Sequence, residues 1–240
     1  MNKSWVANLF TGANIVFGSI SIILSLSGEF QAAAWSIVCA MVSDALDGRV
    51  ARALGTAGPM GVELDSLCDN TSFGVAPGIL LYSYQLHELG WVGAVPAVLL
   101  GLFCTFRLAR FNVHTSVVHG YFEGLPCPTV GVVVASYILS GAAMWPWLLA
   151  ICTLLLGILM VTEIHYPDNK GKSADQLHWQ ALLAAVVFLV LCVVLYWPSW
   201  AVALCTAYIL FGILNTWMNR RKKLRQLRNR RLRSRISKGA

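Results

Sequence analysis

Charge is scarce in this chain. Only 12% of its 240 residues are Asp, Glu, Lys or Arg, while 57% are hydrophobic, and the mean hydropathy is +0.65. A soluble domain carries about 25% charged residues, so the composition excludes an ordinary water-soluble enzyme. Paired cysteine chemistry is also missing. Of the seven cysteines (39, 68, 104, 127, 152, 192 and 205), no two stand at CxxC spacing. Their odd number and apolar surroundings predict small buried hydrophobes rather than disulfides or metal ligands. No internal repeat is visible. The first apolar stretch runs past the length of a signal core and lacks a cleavage site, so a removable leader is not expected. What remains is an all-α, polytopic membrane bundle.

A membrane span takes about 20 apolar residues, fewer where helices pack together. Eight segments qualify, roughly 9–28, 31–54, 62–84, 91–112, 128–144, 147–164, 178–197 and 199–218. Two joints, Met144-Trp145-Pro146-Trp147 and Trp197-Pro198-Ser199-Trp200, place proline between tryptophans. Such joints suit tight turns in the interfacial aromatic belt. With eight spans and the N-terminus inside, all 18 Lys and Arg residues fall on the inner side, from Lys3 through Arg49, Arg52, Arg107, Arg110, Lys170 and Lys172 to the tail. The outer loops hold Glu29, His87 and Glu88 and lack positive charge, as the positive-inside rule demands. The expected organisation is a membrane domain over 1–218 and a basic cytoplasmic tail over 219–240. The tail has 11 basic residues between Arg220 and Lys238. Next to a span, it should rest on anionic headgroups at about 1 kcal/mol per basic residue rather than bind nucleic acid.

Against this apolar background stand four aspartates in the run Asp44-x2-Asp47-Gly48-x2-Ala51-Arg52-x8-Gly61-x3-Asp65-x3-Asp69. A carboxylate at membrane depth costs about 2.5–3.5 kcal/mol, so four together call for a compensating cation. Spacings of three and four put each pair on one helical face. Two helices that each offer two carboxylates can cage a hard divalent cation such as Mg²⁺ or Mn²⁺. The small residues Gly48, Ala51 and Gly61 lie one turn from these aspartates, where a flat ligand can approach the backbone. Arg52 can neutralise phosphate oxygens. Metal, phosphate clamp and slot together point to a nucleotide diphosphate.

The run resembles the signature of the CDP-alcohol phosphotransferase family at every specified position. The resemblance implies two divalent ions, Mg²⁺ or Mn²⁺, held by Asp44, Asp47, Asp65 and Asp69 and bridging the diphosphate of a CDP-linked lipid. It implies Asp69 as general base, and Gly48, Ala51, Arg52 and Gly61 around the CDP group. Asn8-Leu9-Phe10-Thr11 is similar to a short family motif near the nucleotide, which adds Asn8 and Thr11 to the donor site.

The signature leaves the acceptor open. Arg107-Leu108-Ala109-Arg110-Phe111-Asn112 and Phe122-Glu123-Gly124-Leu125-Pro126-Cys127-Pro128 resemble segments of the bacterial and archaeal membrane-integral phosphatidylserine synthases. That resemblance implies CDP-diacylglycerol as donor, L-serine as acceptor, an active site facing the cytoplasm at the inner membrane, and a homodimer. Serine brings a carboxylate and an ammonium. Arg107 or Arg110 could fork onto the carboxylate, and Asn112 and Glu123 are further candidate contacts. The alternatives are the same chemistry on glycerol-3-phosphate, inositol phosphate or choline, or a divalent-metal transporter. The motif's place near the inner ends of its helices and the lack of interrupted helices in two halves oppose transport.

Overall fold

The computed structural model of the protein describes residues 4–55, 58–114, 121–162 and 165–167. The seventh and eighth candidate spans, Lys170, Lys172 and the tail lie outside the described residues, as do the side chains of Asn8, Arg52 and Glu123.

The described residues form six helical columns. These are α1 (Ser4–Leu26), α2 (Phe30–Leu54), a composite third column, α5 (Trp91–His114), α6 (Cys127–Leu139) and α7 (Pro146–Val161). The third column joins α3 (Pro59–Asp69), a π-helical turn (Asn70–Val75) and α4 (Ala76–Tyr84). A short 3₁₀ turn, Leu86–Leu89, leads into α5. The β structure among the described residues is one antiparallel pair, β1 (Tyr121–Glu123) with β2 (His165–Pro167), in which Phe122 faces Tyr166.

These columns match the first six candidate segments, with three differences. The third column starts at Pro59, because proline fits the first turn of a helix. The fifth stops at Leu139, five residues short of the expected end, and Gly141 follows with a positive φ of 63°. The third column is broken by the π turn, in which the Ala76 N–H reaches back to the Thr71 carbonyl. Pro77 gives the reason. It has no N–H, and its ring would strike the carbonyl four residues back in a continuous α-helix. A wider turn just before it relieves that clash.

Two helical stretches, Leu9–Leu26 and Trp91–Val113, are long and apolar enough to cross a membrane on their own. The helix α2 is long enough but carries Asp44, Asp47, Arg49 and Arg52, while α6 and α7 have 13 and 16 residues. Large apolar side chains point outward on several columns, with Leu9 and Val98 each 71% exposed and Ile23 63%. A solvated surface avoids such a belt, which fits association with a membrane.

The joint between α1 and α2 is a Schellman turn. Glu29 N–H donates to Leu24 O at 2.9 Å and Gly28 N–H to Ser25 O at 3.3 Å, with Gly28 at φ +81°. Only glycine takes that conformation without strain, and α2 folds back along α1. The buried face of α2 is small: Ala33, Ala34, Ile37 and Ala40 are fully covered. Small residues let helices approach closely where packing rather than the hydrophobic effect holds them. The core continues through Phe73, Leu80, Leu100, Leu125, Val130 and Ile138. Five cysteines fall in the described residues and all are reduced. Cys68, Cys104 and Cys127 are buried as expected, whereas Cys39 faces outward and Cys152 is half-buried.

Candidate active site

The helices α2 and α3 each bring two of the aspartates to one place. Asp47 and Asp69 are buried, and Asp44 and Asp65 half-buried. One oxygen from each of Asp44, Asp47 and Asp65 lies within 4.8 Å of the others. Asp44 is also within hydrogen-bonding reach of Asp69. All four aspartates therefore converge, as their spacing predicts. Two unit charges 4.8 Å apart repel by about 3.5 kcal/mol at an effective dielectric of 20, so the cluster needs positive charge among its oxygens. Asp65 Oδ1 is buried with no hydrogen-bond partner, a cost of about 1–3 kcal/mol that a ligated cation removes. An all-oxygen anionic donor set fits a hard divalent cation.

The rim is built from small residues. A methyl group added at Gly61 would meet nothing within 4 Å, so internal packing does not demand the glycine there. Gly48 and Ala51 are half-buried beside the aspartates on α2. The helix α1 packs against both α2 and α3, which approach each other little. Thr11 and Asn14 are buried one turn apart on α1. Asn14 Nδ2 donates to Asp69 Oδ1 at 3.0 Å.

The two arginines of α5 part company. Arg110 donates from Nη1 to Val161 O at 2.9 Å and from Nη2 to Thr162 O at 3.4 Å. It thus caps the C-terminal carbonyls of α7, a favourable place for a cation. Arg107 is 6% exposed. Its Nη1 donates to Cys127 Sγ at 3.4 Å, its guanidinium carbon lies 5.8 Å from the Phe111 ring centroid, and its Nε has no partner. Among the described residues no carboxylate lies within ion-pair distance of it. Cys127, at the start of α6, is close enough to Asp69 and Asp44 for electrostatic interaction. Arg107 is thus tied to the start of α6 through that thiol. Cys104 Sγ lies 2.9 Å from Cys127 Sγ. Asn112 instead bridges α5 to α3, donating to Ser66 Oγ at 3.0 Å and to Glu63 Oε2 at 3.4 Å.

A profile of the CDP-alcohol phosphatidyltransferase family matches residues 4–161. The chain belongs to that family. It is 35% identical over 221 residues to a CDP-diacylglycerol–serine O-phosphatidyltransferase of Helicobacter pylori, which covers 88% of this chain and 90% of that one. An enzyme of the same name from Methanocaldococcus jannaschii is 32% identical over 216 residues, 87% of this chain and 92% of the other. A third, from Bacillus subtilis, is 34% identical over 176 residues, 72% of this chain and 96% of the other. In CDP-alcohol phosphatidyltransferase terms, the cage carries the signature residues. Asn14 and Cys127 lie outside the signature and escaped the sequence reading as site residues. A signal for Asn14 was present: Thr11, Asn14, Gly18, Ser21 and Ser25 recur every three or four residues and form one buried stripe of α1.

Proposed function

We propose that this chain transfers the phosphatidyl group of CDP-diacylglycerol to the hydroxyl of L-serine, giving phosphatidylserine and CMP in phospholipid biosynthesis. Asp44, Asp47, Asp65 and Asp69 would hold two divalent cations, Mg²⁺ or Mn²⁺, which when bound polarise the diphosphate and neutralise charge on the departing CMP. Asp69 accepts the proton of the serine hydroxyl. The serine oxygen forms its bond to the β-phosphorus as the bond from that phosphorus to CMP breaks. Gly48, Ala51 and Gly61 leave room for the nucleotide, Arg52 meets its phosphates, and Asn8 and Thr11 complete the donor side.

The observation that carries the acceptor is Arg107, a buried cation with no carboxylate partner among the described residues and an unpartnered Nε. A buried guanidinium in that state is poised for an anion that arrives with the substrate. Serine supplies a carboxylate; choline does not. Arg110 and Asn112 serve the scaffold in this reading, and Glu123 remains a candidate for the serine ammonium. The chain would cross the inner membrane eight times, with both termini and the active site cytoplasmic, and work as a homodimer. Residues 1–218 would form the membrane domain, and the basic tail would rest on anionic lipid.

The test is an assay in detergent with CDP-diacylglycerol, Mg²⁺ or Mn²⁺, and a panel of labelled alcohols, following CMP release. Serine should support turnover at least about 100-fold above glycerol-3-phosphate, inositol phosphate and choline, a gap of about 2.7 kcal/mol. Preference for any of those three would overturn the acceptor. Metal flux into sealed vesicles without CMP release would overturn the enzyme.

A further inference from the structure

We propose that Asn14 is a positioning residue, which holds the Asp69 carboxylate in the orientation that receives the acceptor's proton. The inference rests on Asp69 acting as the base. Asn14 is fully buried on α1, and its Nδ2 donates to Asp69 Oδ1 at 3.0 Å. That bond restricts the rotation of the carboxylate, and so sets the direction in which its oxygens face the reacting atoms. A base works in proportion to how well it is aimed at the proton it takes.

The backbone that carries this amide is itself held. Its backbone carbonyl accepts from Ser72 Oγ at 3.0 Å. Ser72 belongs to the π turn that begins at the residue after Asp69, and Ser72, Phe73 and Gly74 are all buried. The approach is close enough to require glycine opposite: a methyl group at Gly18 would collide with Ser72 Oγ and come within 2.9 Å of Ser72 Cα. Gly18, one turn beyond Asn14, thus brings α1 against the π turn. The turn clamps Asn14, and Asn14 aims Asp69. π turns recur where a helix must present a functional group, and this one fixes a base through its neighbour. Asn14 Oδ1 is buried without a partner. Nothing in the packing claims that end of the amide, which is unusual for a residue retained for structure alone.

The experiment compares Asn14→Ala, Asn14→Leu and Asn14→Ser with the wild type and with Asp69→Asn. Leu is close to Asn in size and Ser keeps a donor. Ser25→Ala is the control on the same stripe, where the hydroxyl only bonds back to Ser21 O. For each, kcat, KM for serine, affinity for CDP-diacylglycerol and melting temperature in detergent are measured. Asn14→Ala and Asn14→Leu should lower kcat about 30- to 100-fold while donor affinity and serine KM stay within about threefold, and Asn14→Ser should recover part of the loss. Ser25→Ala should keep wild-type kcat. If Asn14→Ala does not fold, the Leu and Ser variants decide. Full turnover in Asn14→Leu with an inactive Asp69→Asn would overturn the inference and leave the base intact. Full turnover in Asp69→Asn would overturn the base itself. Equal losses of kcat, donor affinity and melting temperature in the Asn14 variants would reduce the residue to a structural one.

Discussion

Replacing Arg107 by methionine should raise the KM for serine without weakening the fold. Arg107 is 6% exposed, and what holds it in the resting protein is slight. One bond runs to a thiol at 3.4 Å, and one aromatic face lies 5.8 Å away. Together these contribute about 1–2 kcal/mol, less than the several kcal/mol that burying a guanidinium costs. The Arg107→Met variant would lose that burden and fill most of the same volume, so the melting temperature should hold or rise. The serine carboxylate would then meet no cation. Truncating one partner of a buried hydrogen-bonded charge pair costs about 2–5 kcal/mol, which is about 30-fold or more in KM. The donor's KM should stay within about threefold. Arg110→Met should give the opposite pattern. It removes two hydrogen bonds to the last carbonyls of α7, about 1–3 kcal/mol of stability, and leaves serine KM nearly unchanged. Steady-state kinetics with both substrates varied, beside melting curves in detergent, read all four quantities. Wild-type serine KM in Arg107→Met, or a raised serine KM at unchanged melting temperature in Arg110→Met, would refute the assignment.

Three further outcomes are expected. Asp47→Asn should abolish turnover yet insert normally, and Mg²⁺ or Mn²⁺ should raise the melting temperature of the wild type but not of the variant; equal metal stabilisation in both would rule out Asp47 as a ligand. Asp69→Asn should lose turnover while retaining more CDP-diacylglycerol affinity than Asp44→Asn, since a base acts in the transition state; equal donor affinity in the two would make Asp69 a plain ligand. Reporters placed after Lys238 and at Lys170 should read cytoplasmic and one at Glu88 external; a cytoplasmic reading at Glu88 would break the eight-span arrangement.

The helical columns were legible because apolar run length and turn chemistry are local properties. The Met144-Trp145-Pro146-Trp147 joint marks a real helix end, and spacings of three and four put the aspartates of each helix on one face, where Asp44, Asp47 and Asp65 gather. The π turn could have been anticipated from Pro77, a proline deep inside an apolar run, but a twenty-residue count passes over it. The choice between Arg107 and Arg110 was not available from sequence. Three residues of helix leave their side chains about 60° apart, and only the neighbours decide what each direction meets. Arg110 turns to the end of α7, Arg107 to the start of α6. Asn14 was overlooked for a related reason. Its partner is 55 residues away, and an Asn in an apolar helix has no meaning until that partner is known.

The same geometry separates the two halves of the reaction. The carboxylates and small residues proposed for the CDP donor sit on α2 and α3, against which α1 packs. The cation assigned to the acceptor sits on α5, steadied by a thiol from the start of α6. Asn112 joins the halves directly through Ser66 and Glu63, and Cys127, bonded to Arg107, lies where α6 meets α5. In the proposed reading, the acceptor's hydroxyl reaches Asp69 while its charged end stays at Arg107, a constraint on length as well as charge. Serine is compact in this respect: its carboxylate and hydroxyl are separated by only two carbons. An acceptor whose anion lies farther from its hydroxyl, as in glycerol-3-phosphate, would have to move one end off its partner. The division predicts that acceptor choice can be altered by changes in α5 and the segment before α6 without touching a single residue of the aspartate signature.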